Sequence, residues 1–365
     1  MTIRCAVVLF NLGGPDGPAA VRPFLYNLFS DAAIISLPKI PRLCLAWLIS
    51  KRRAREAAKI YAHLGGKSPL LEETRAQAHA LETYLNKHAG DEADYRVFVS
   101  MRYWHPRARE IVTLVKDWQA DEIVLLPLYP QYSTTTTQSS MLEWEKEARR
   151  QGLEARRHVV CCYPEERGFL RAHAEGIEAC LSRLLGGGTG MKDIVILFSA
   201  HGLPERVIRA GDPYQQQVER SCAGVMRELR LPPGTTRADW RVCYQSRVGP
   251  LSWIGPSIDE ALAQIGAKGQ GVVIVPIAFV SEHSETLVEL DVEYRAFAGK
   301  AGVKFYERVP ALGIRGGFIA ALGDLVARAL ASPAPLCPQE EQPSGDPRCS
   351  MLALAPFKQE KARVV

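Results

Sequence analysis

Short apolar runs rich in β-branched residues alternate with longer helical stretches along this chain. That alternation is typical of a parallel sheet with helices on both faces, because strands covered on both sides read as continuous apolar runs. The predicted strands are residues 4–10, 95–101, 122–128, 158–162, 193–198, 240–244, 271–277 and 304–306. The predicted helices are residues 73–87, 108–119, 165–185, 214–229, 257–265 and 315–331. The sequence therefore predicts an α/β fold.

The predicted strands fall into two sets, divided near the glycine-rich stretch at residues 185–191, which suits a linker or a turn. The loops that leave the strands are similar in the two halves; the second such loop of each half carries an arginine, Arg102 or Arg247, shortly before a proline. We expect two Rossmann-like domains, residues 1–185 and 186–331, each a parallel sheet flanked by helices. The proline-rich residues 332–365 are predicted to form an irregular tail.

Composition excludes several classes of protein. A chain of 365 residues with 47% hydrophobic and 23% charged residues is typical of a soluble globular protein. Its formal net charge of +5 is too small to indicate binding to nucleic acid. No apolar run approaches the roughly 18 residues of a membrane-spanning helix, and the first residues lack the pattern of a secretory leader. We therefore expect a cytoplasmic protein.

Residues 41–55 form the best candidate for contact with a membrane. Their apolar first half is followed by Lys51, Arg52, Arg53 and Arg55. An amphipathic helix of this kind can lie on the inner, anionic face of the cytoplasmic membrane as a peripheral contact. A helix packed on the protein core with a solvated basic end explains the same pattern, and the sequence leaves both interpretations open.

Unusual polar residues follow the ends of the predicted strands, where ligands bind in open parallel sheets. His201 follows the apolar run at residues 193–198 and precedes a glycine that permits a sharp turn. A neutral imidazole suits proton transfer near neutral pH and is a common metal ligand. A lone histidine is, however, often only structural.

A denser cluster of polar residues lies at 281–294, after another predicted strand. At helical spacing Glu282, Glu285, Glu289 and Glu293 would form one stripe beside His283, because positions three and four apart share a face. Like charges in a row need screening by water or a cation, which favours a solvated channel or a path for metal ions. Helix capping and a plain solvent-facing stripe remain alternatives.

Seven motifs in order give this chain a strong resemblance to the ferrochelatase family over roughly residues 4–330. They read L-F-N-L-G-G-P, G-G-K-S-P-L, S-M-R-Y-W-H-P, Y-P-Q-Y-S, I-L-F-S-A-H-G-L-P with A-G-D-P-Y, Y-Q-S-R-V-G-P-L-S-W-I-G-P, and F-V-S-E-H-S-E-T-L-V-E-L-D-V-E-Y. The resemblance implies two similar domains with parallel sheets and a cleft between them. It also implies porphyrin and ferrous iron as the binding partners.

The resemblance also implies roles for individual residues. His201 takes the position of the family's essential histidine, and Glu285 that of its glutamate across the pocket, so both are expected to be catalytic. The expected metal-handling residues are His201, Glu282, His283 and Glu285. The expected porphyrin-binding residues are Leu12, Ser68, Arg102, Tyr103, Tyr132 and Trp253.

The resemblance raises the question of a cofactor. Some family members hold a [2Fe–2S] cluster with one mid-chain cysteine and three cysteines near the C-terminus. In this chain Ala172 stands at the mid-chain position, and the tail carries only Cys337 and Cys349. We therefore expect no cluster, and Fe²⁺ enters as a substrate.

The implied reaction is insertion of Fe²⁺ into protoporphyrin IX, which gives protohaem and releases two protons. Three alternatives stay open: a chelatase of the same fold acting on coproporphyrin, a non-catalytic porphyrin or haem carrier, and a metal-dependent hydrolase with His201, His283 and Glu285 as ligands. The sequence leaves the oligomeric state and the route of iron delivery open.

Overall fold

The computed structural model describes residues 2–231, 238–247, 249 and 251–336. The strands are β1 (Ile3–Asn11), β2 (Ala93–Met101), β3 (Glu122–Pro127), β4 (Arg156–Val159), β5 (Ile194–His201), β6 (Asp239–Gln245), β7 (Gly271–Pro276) and β8 (Tyr306–Arg308). The α-helices are α1 (Val21–Phe29), α2 (Lys39–Ala62), α3 (Leu70–Ala89), α4 (Ala108–Asp117), α5 (Ser139–Gln151), α6 (Arg167–Gly186), α7 (Glu205–Arg209), α8 (Tyr214–Glu228), α9 (Ile258–Ala267), α10 (Arg295–Lys300) and α11 (Gly316–Ala331). Two π-helical segments cover Thr134–Gln138 and Glu285–Tyr294.

The strands form two four-stranded sheets of identical topology. Their orders are β2-β1-β3-β4 and β6-β5-β7-β8, and neighbouring strands are parallel throughout. The predicted α/β fold with two similar halves is therefore confirmed. In each sheet the two central strands connect to outer strands on opposite sides. Their connections therefore diverge and leave a crevice at the carboxyl ends of the central strands. That crevice lies between β1 and β3 in the first sheet and between β5 and β7 in the second.

Burial on both faces explains why the strands read as continuous apolar runs. In β1, Val7 and Leu9 enter the largest core, whereas Ala6 and Val8 enter a second core on the opposite face of the sheet. All four side chains are fully buried. A strand of this kind cannot show the alternation of polar and apolar residues that marks a half-exposed sheet.

Two helices pack across the two halves. The helix α6, at the end of the predicted first half, packs against α8 and β7, whereas the C-terminal α11 packs against α3, β3 and β4. The largest core consequently includes residues from both sheets. The division of the chain at residue 185 stays a prediction.

The predicted helices are all present with small shifts at their ends, and the predicted helix 41–55 is part of the longer α2. The segment after β7 differs most, because residues 285–294 are π-helical and so do not follow ordinary helical spacing. Of the predicted tail, residues 332–336 are described, and Leu336 pairs with Val160 beside β4. Residues 337–365, with Cys337 and Cys349, lie outside the described residues.

The crossing of α6 with α11 requires a residue without a side chain. A Cβ added at Gly168 would lie 2.6 Å from the Ala321 Cβ and 3.1 Å from the Gly317 carbonyl oxygen. We expect Gly168→Ala to lower the free energy of unfolding by about 1–3 kcal/mol, as overpacking does. Urea denaturation followed by circular dichroism measures this change.

Gly317→Ala is the matched control, because Gly317 is also the second residue of its helix and a Cβ there meets nothing within 4 Å. We expect it to be neutral or to stabilise by up to about 1 kcal/mol. Equal urea midpoints for the two variants would contradict the proposed close packing.

Candidate functional site

His201 and Glu285 meet at the crevice of the second sheet. His201 is the last residue of β5, and Glu285 begins the π-helical segment that follows β7. Because β5 and β7 are adjacent and parallel, their carboxyl ends bring these two sequence-distant residues together. His201 Nδ1 lies 2.8 Å from Glu285 Oε2. The structure therefore joins the two predicted catalytic residues as a hydrogen-bonded pair.

The pair is partly accessible, and each member shifts the pKa of the other. The side chains of His201 and Glu285 are 39% and 22% exposed, so the imidazole can still contact a ligand. Partial burial disfavours the charged ring, but the Glu285 carboxylate outweighs this effect and raises the pKa of His201. Burial likewise opposes ionisation of Glu285, yet the facing imidazolium holds the pKa of Glu285 well below its usual value.

His283 completes a short row of three side chains. Its Nε2 lies 3.9 Å from Glu285 Oε1, and its Nδ1 lies 3.2 Å from the Ser281 carbonyl oxygen. The side chain is almost wholly buried, and this burial lowers the pKa of His283 despite the nearby carboxylate. His283 is therefore a neutral neighbour of the charged pair.

Glu289 is part of the site although sequence reasoning placed it only in a general stripe. Ser246 donates its backbone N–H to Glu289 Oε1 at 2.9 Å, and its Oγ lies 2.6 Å from Glu289 Oε2 and 3.1 Å from Glu285 Oε2. Gln245 donates its Nε2 to Glu289 Oε2 at 3.0 Å. Burial and the neighbouring Glu285 charge raise the pKa of Glu289 to about 7. Glu289 is thus a carboxyl group that can take up and release a proton near neutral pH.

Glu282 does not join this row. Its Oε1 accepts hydrogen bonds from Arg308 at 2.8 Å and from the Ala311 backbone N–H at 2.9 Å. Although burial disfavours its charge, Arg308 lowers the pKa of Glu282. Arg308 also pairs with Asp291, so Glu282 belongs to a separate ionic cluster and departs from the predicted stripe. Its role toward a metal ion stays a prediction.

The described residues contain no group of three His, Cys, Asp or Glu side chains arranged to hold a metal ion. Ala172 is buried in α6 and offers no ligand atom. The expectation that the chain lacks a [2Fe–2S] cluster stays a prediction, because Cys337 and Cys349 lie outside the described residues.

Leu12 and Ser68, two of the predicted porphyrin-binding residues, lie in loops of the first half of the chain. Leu12 is half-buried and packs on an apolar cluster that includes Tyr61 and Tyr103. Ser68 is nearly buried, donates its backbone N–H to the Pro15 carbonyl at 2.7 Å, and precedes α3. The loop after β1 and the start of α3 therefore form one continuous surface.

Arg102 and Tyr103 are already engaged within the protein. Arg102 donates to Asp31 Oδ2 at 2.7 Å, to Glu143 Oε2 at 3.1 Å and to Ser139 Oγ at 2.7 Å. The Tyr103 ring is fully buried, and its hydroxyl donates to Asp31 Oδ2 at 2.8 Å. In this structure neither side chain is free to meet a ligand, and their predicted role in binding porphyrin rests on the resemblance alone.

Tyr132 and Trp253 have different surroundings. Tyr132 is fully buried, with its hydroxyl 3.2 Å from Gln138 Oε1. Trp253 is half-buried and pairs with Pro204, and its ring lies 3.4 Å from where a Cβ on Gly202 would stand. The indole is therefore close to the turn that follows His201, where a Cβ at position 202 would lie 2.9 Å from the Gln245 carbonyl oxygen.

Tyr61 is a site residue that sequence reasoning did not identify. It lies on α2, is buried, and its hydroxyl lies near the side chain of Ser284, directly before Glu285. Burial raises the pKa of Tyr61 to about 12, so the hydroxyl stays protonated. No local pattern marks this tyrosine, since its contact with Ser284 joins residues more than two hundred positions apart.

Comparison with known proteins gives the same family over nearly the whole chain. The family model described as Ferrochelatase matches residues 4–330. The Ferrochelatase of Phenylobacterium zucineum (strain HLK1) is 52% identical over 328 residues, which cover 90% of this chain and 92% of that protein. The Ferrochelatase of Pelagibacter ubique (strain HTCC1062) is 48% identical over 326 residues, covering 89% of this chain and 91% of that protein.

A solved structure agrees at the level of the fold. SirB from Bacillus subtilis with Fe3+ superimposes with a TM-score of 0.52 at 12% identity, covering 90% of this chain and 96% of that chain. At such low identity this likeness shows the two-sheet architecture alone. The family model and the two close relatives carry the assignment, and they show that this chain belongs to the ferrochelatase family.

Proposed function

We propose that this chain is the lyase that inserts Fe²⁺ into protoporphyrin IX, giving protohaem and two protons. The observation that supports this function is the partly exposed His201–Glu285 pair at the crevice of the second sheet, with Glu289 beside it. Relatives about half identical over nine-tenths of the chain carry the name Ferrochelatase. A protein that only carries porphyrin or haem needs an apolar pocket but no groups that transfer protons. That function would therefore leave the His201–Glu285 pair and Glu289 unexplained.

The chemistry of the substrate defines what the site must do. A free-base porphyrin loses two pyrrole protons as the metal enters, so a base must stand at the face of the ring. His201 in its neutral form accepts such a proton, and the Glu285 carboxylate stabilises the imidazolium that results. This arrangement resembles other sites in which a carboxylate orients a histidine base.

Protons leave through the polar residues behind the pair. Ser246 Oγ lies within hydrogen-bonding distance of both Glu285 and Glu289, and its hydroxyl can pass a proton between them. Glu289, with a pKa of about 7, can hold that proton and release it to solvent. Glu285 carries the proton only in transit, because its pKa is low beside a charged His201 and the ionised carboxylate is its resting form.

The substrates bind to groups that the structure leaves accessible. Leu12 and Trp253 offer apolar surface for the macrocycle, one from each half, and Tyr103 belongs to the apolar cluster on which Leu12 packs. Tyr132 is buried in a separate core. His201, Glu285 and His283 offer nitrogen and oxygen ligands to Fe²⁺ in transit. We also propose that the chain needs no iron–sulfur cluster, since Ala172 provides no ligand.

Anaerobic mixing of the purified protein with Fe²⁺ and porphyrin tests the proposed reaction. With protoporphyrin IX we expect the free-base absorption bands to be replaced by those of protohaem, at a rate proportional to enzyme concentration. The same experiment with coproporphyrin separates the two substrates. Unchanged free-base bands with both porphyrins would exclude a chelatase, and turnover of coproporphyrin alone would overturn the assignment to protoporphyrin.

Glu285→Gln tests the role of the charged pair. We expect porphyrin to bind but kcat to fall by about 100-fold or more, the lower range for loss of acid–base assistance. Activity requires neutral His201, so it rises with pH through the pKa of His201, which Glu285 keeps high. Without that charge the pKa falls, and the rising limb of the pH–rate profile moves to lower pH.

Glu293→Gln is the matched control, because Glu293 lies on the same π-helical segment but is exposed. We expect wild-type kcat and an unchanged pH–rate profile. If the pH–rate profiles of Glu285→Gln and the wild-type protein were the same, the activity would not depend on the His201–Glu285 pair.

We also propose that the N-terminal end of α2 contacts an anionic membrane surface. Exposed side chains at helical spacing line one face of it, first apolar and then basic: Ile40, Trp47, Leu48, Lys51 and Arg55. Ile40 is 77% exposed, and Lys51 lies 5.1 Å from the centre of the Trp47 ring. No helix in the described ranges is long and apolar enough to cross a bilayer. A peripheral contact therefore fits this surface.

Co-sedimentation with vesicles of one third phosphatidylglycerol and two thirds phosphatidylcholine tests this contact. We expect the double variant Ile40→Glu, Leu48→Glu to bind about tenfold more weakly or worse, because it removes apolar area and adds negative charge. Leu114→Glu with Leu142→Glu is the control, since both leucines are similarly exposed elsewhere. Equal binding of the two double variants would argue against a specific membrane face.

A further inference from the structure

Gln77 makes an unusual set of contacts for a residue in the middle of a helix. It lies on α3 in the first half of the chain and is fully buried. Its Nε2 donates to the Val280 carbonyl at 2.8 Å and to the Gly313 carbonyl at 3.1 Å, and its Oε1 accepts from Ser281 Oγ at 2.7 Å. All three bonds reach residues more than two hundred positions away, in the second half.

The partners of Gln77 lie directly before the site. Val280 and Ser281 belong to the loop that leaves β7, and the residues that follow them are Glu282, His283 and, two further on, Glu285. The Val280 carbonyl also accepts from the Gly313 backbone N–H at 2.9 Å. One side-chain amide thus joins the loop after β7 to the loop after β8 and holds both against α3.

The same helix is also tied to the first sheet. Thr74, one turn before Gln77 and equally buried, accepts a hydrogen bond from Asn11 Nδ2 at 3.0 Å, at the end of β1. Ser68 lies just before the helix, and Leu12 follows Asn11. Therefore α3 connects the wall expected to hold the porphyrin with the loop that carries the charged residues.

We infer that Gln77 is a positioning residue for iron insertion: its amide sets the distance of His283 and Glu285 from the porphyrin wall. This inference rests on the proposed function. A planar amide with both N–H groups and its oxygen engaged permits little rotation, so the loop has one preferred position. Reacting groups that are misplaced by about 1 Å can cost about 100-fold in rate.

Gln77→Leu removes these bonds with little change in volume. It leaves the Ser281 hydroxyl and the Gly313 carbonyl without this partner in a buried place, so the loop is expected to shift. We expect kcat for iron insertion to fall about ten- to 100-fold, while the KM for porphyrin changes less than about twofold. The KM for porphyrin changes little because the substitution does not alter Leu12 or Ser68, which are expected to contact the porphyrin.

Gln131→Leu is the matched control. Gln131 is also a buried glutamine whose Nε2 crosses between the halves, but it donates to Ser221 Oγ on α8 at 2.9 Å, away from the loop after β7. We expect it to lower stability by a similar amount and to leave kcat within about twofold of wild type. Equal kcat values for the two variants, or a rise in porphyrin KM alone for Gln77→Leu, would overturn the positioning role.

Ser281→Ala keeps the test decisive if Gln77→Leu does not fold, because it removes one of the three bonds and almost no volume. We expect a several-fold fall in kcat with porphyrin KM unchanged and, where Gln77→Leu folds, no further fall when the two substitutions are combined. Wild-type kcat for Ser281→Ala would count against the inference. An inactive wild-type protein in the same assay would instead overturn the proposed function, so the two failures are distinguishable.

Discussion

The charged pair of His201 and Glu285 depends on the topology of the second sheet. In an order of β6-β5-β7-β8, the connections of the two central strands diverge and leave their carboxyl ends uncovered. Only there can residues from β5 and from the segment after β7 be neighbours and remain accessible. A histidine elsewhere on these strands would be enclosed by helices on both faces. The topology therefore supplies both the proximity of the pair and its access to a ligand.

Two carboxyl groups close together need different protonation states, and this site provides them. Glu285 faces His201, which lowers the pKa of Glu285 and keeps it ionised. Burial and the negative charge of Glu285 raise the pKa of Glu289. The resulting pKa values lie far apart, so in the proposed mechanism Glu285 orients the base while Glu289 exchanges protons near neutral pH. Ser246 contacts both, and its backbone N–H and hydroxyl fix Glu289 at this distance. The contacts of the two carboxyl groups are therefore enough to explain their different pKa values.

The sequence predicted the parts of this arrangement that depend on local pattern. Apolar runs identified the strands, and polar residues at strand ends identified His201 and Glu285, because parallel sheets place both at one edge. Sequence reasoning could not find Tyr61 or Gln77, whose decisive contacts join residues far apart in the chain. It also misplaced Glu282, since the stripe assumed ordinary helical spacing, while the structure starts a π-helical segment at Glu285 and pairs Glu282 with Arg308.

The two halves of the chain meet through polar contacts on both sides of the site and through a shared apolar core behind it. On one side Asp212 accepts from Ser133 Oγ at 2.9 Å and from the Thr134 backbone N–H at 2.7 Å, and on the other side lies Gln77. The largest core continues through both sheets. Separating the halves would exchange these hydrogen bonds for bonds to water and would expose apolar area of the shared core. The two sheets are therefore joined by buried contacts on both sides of the crevice.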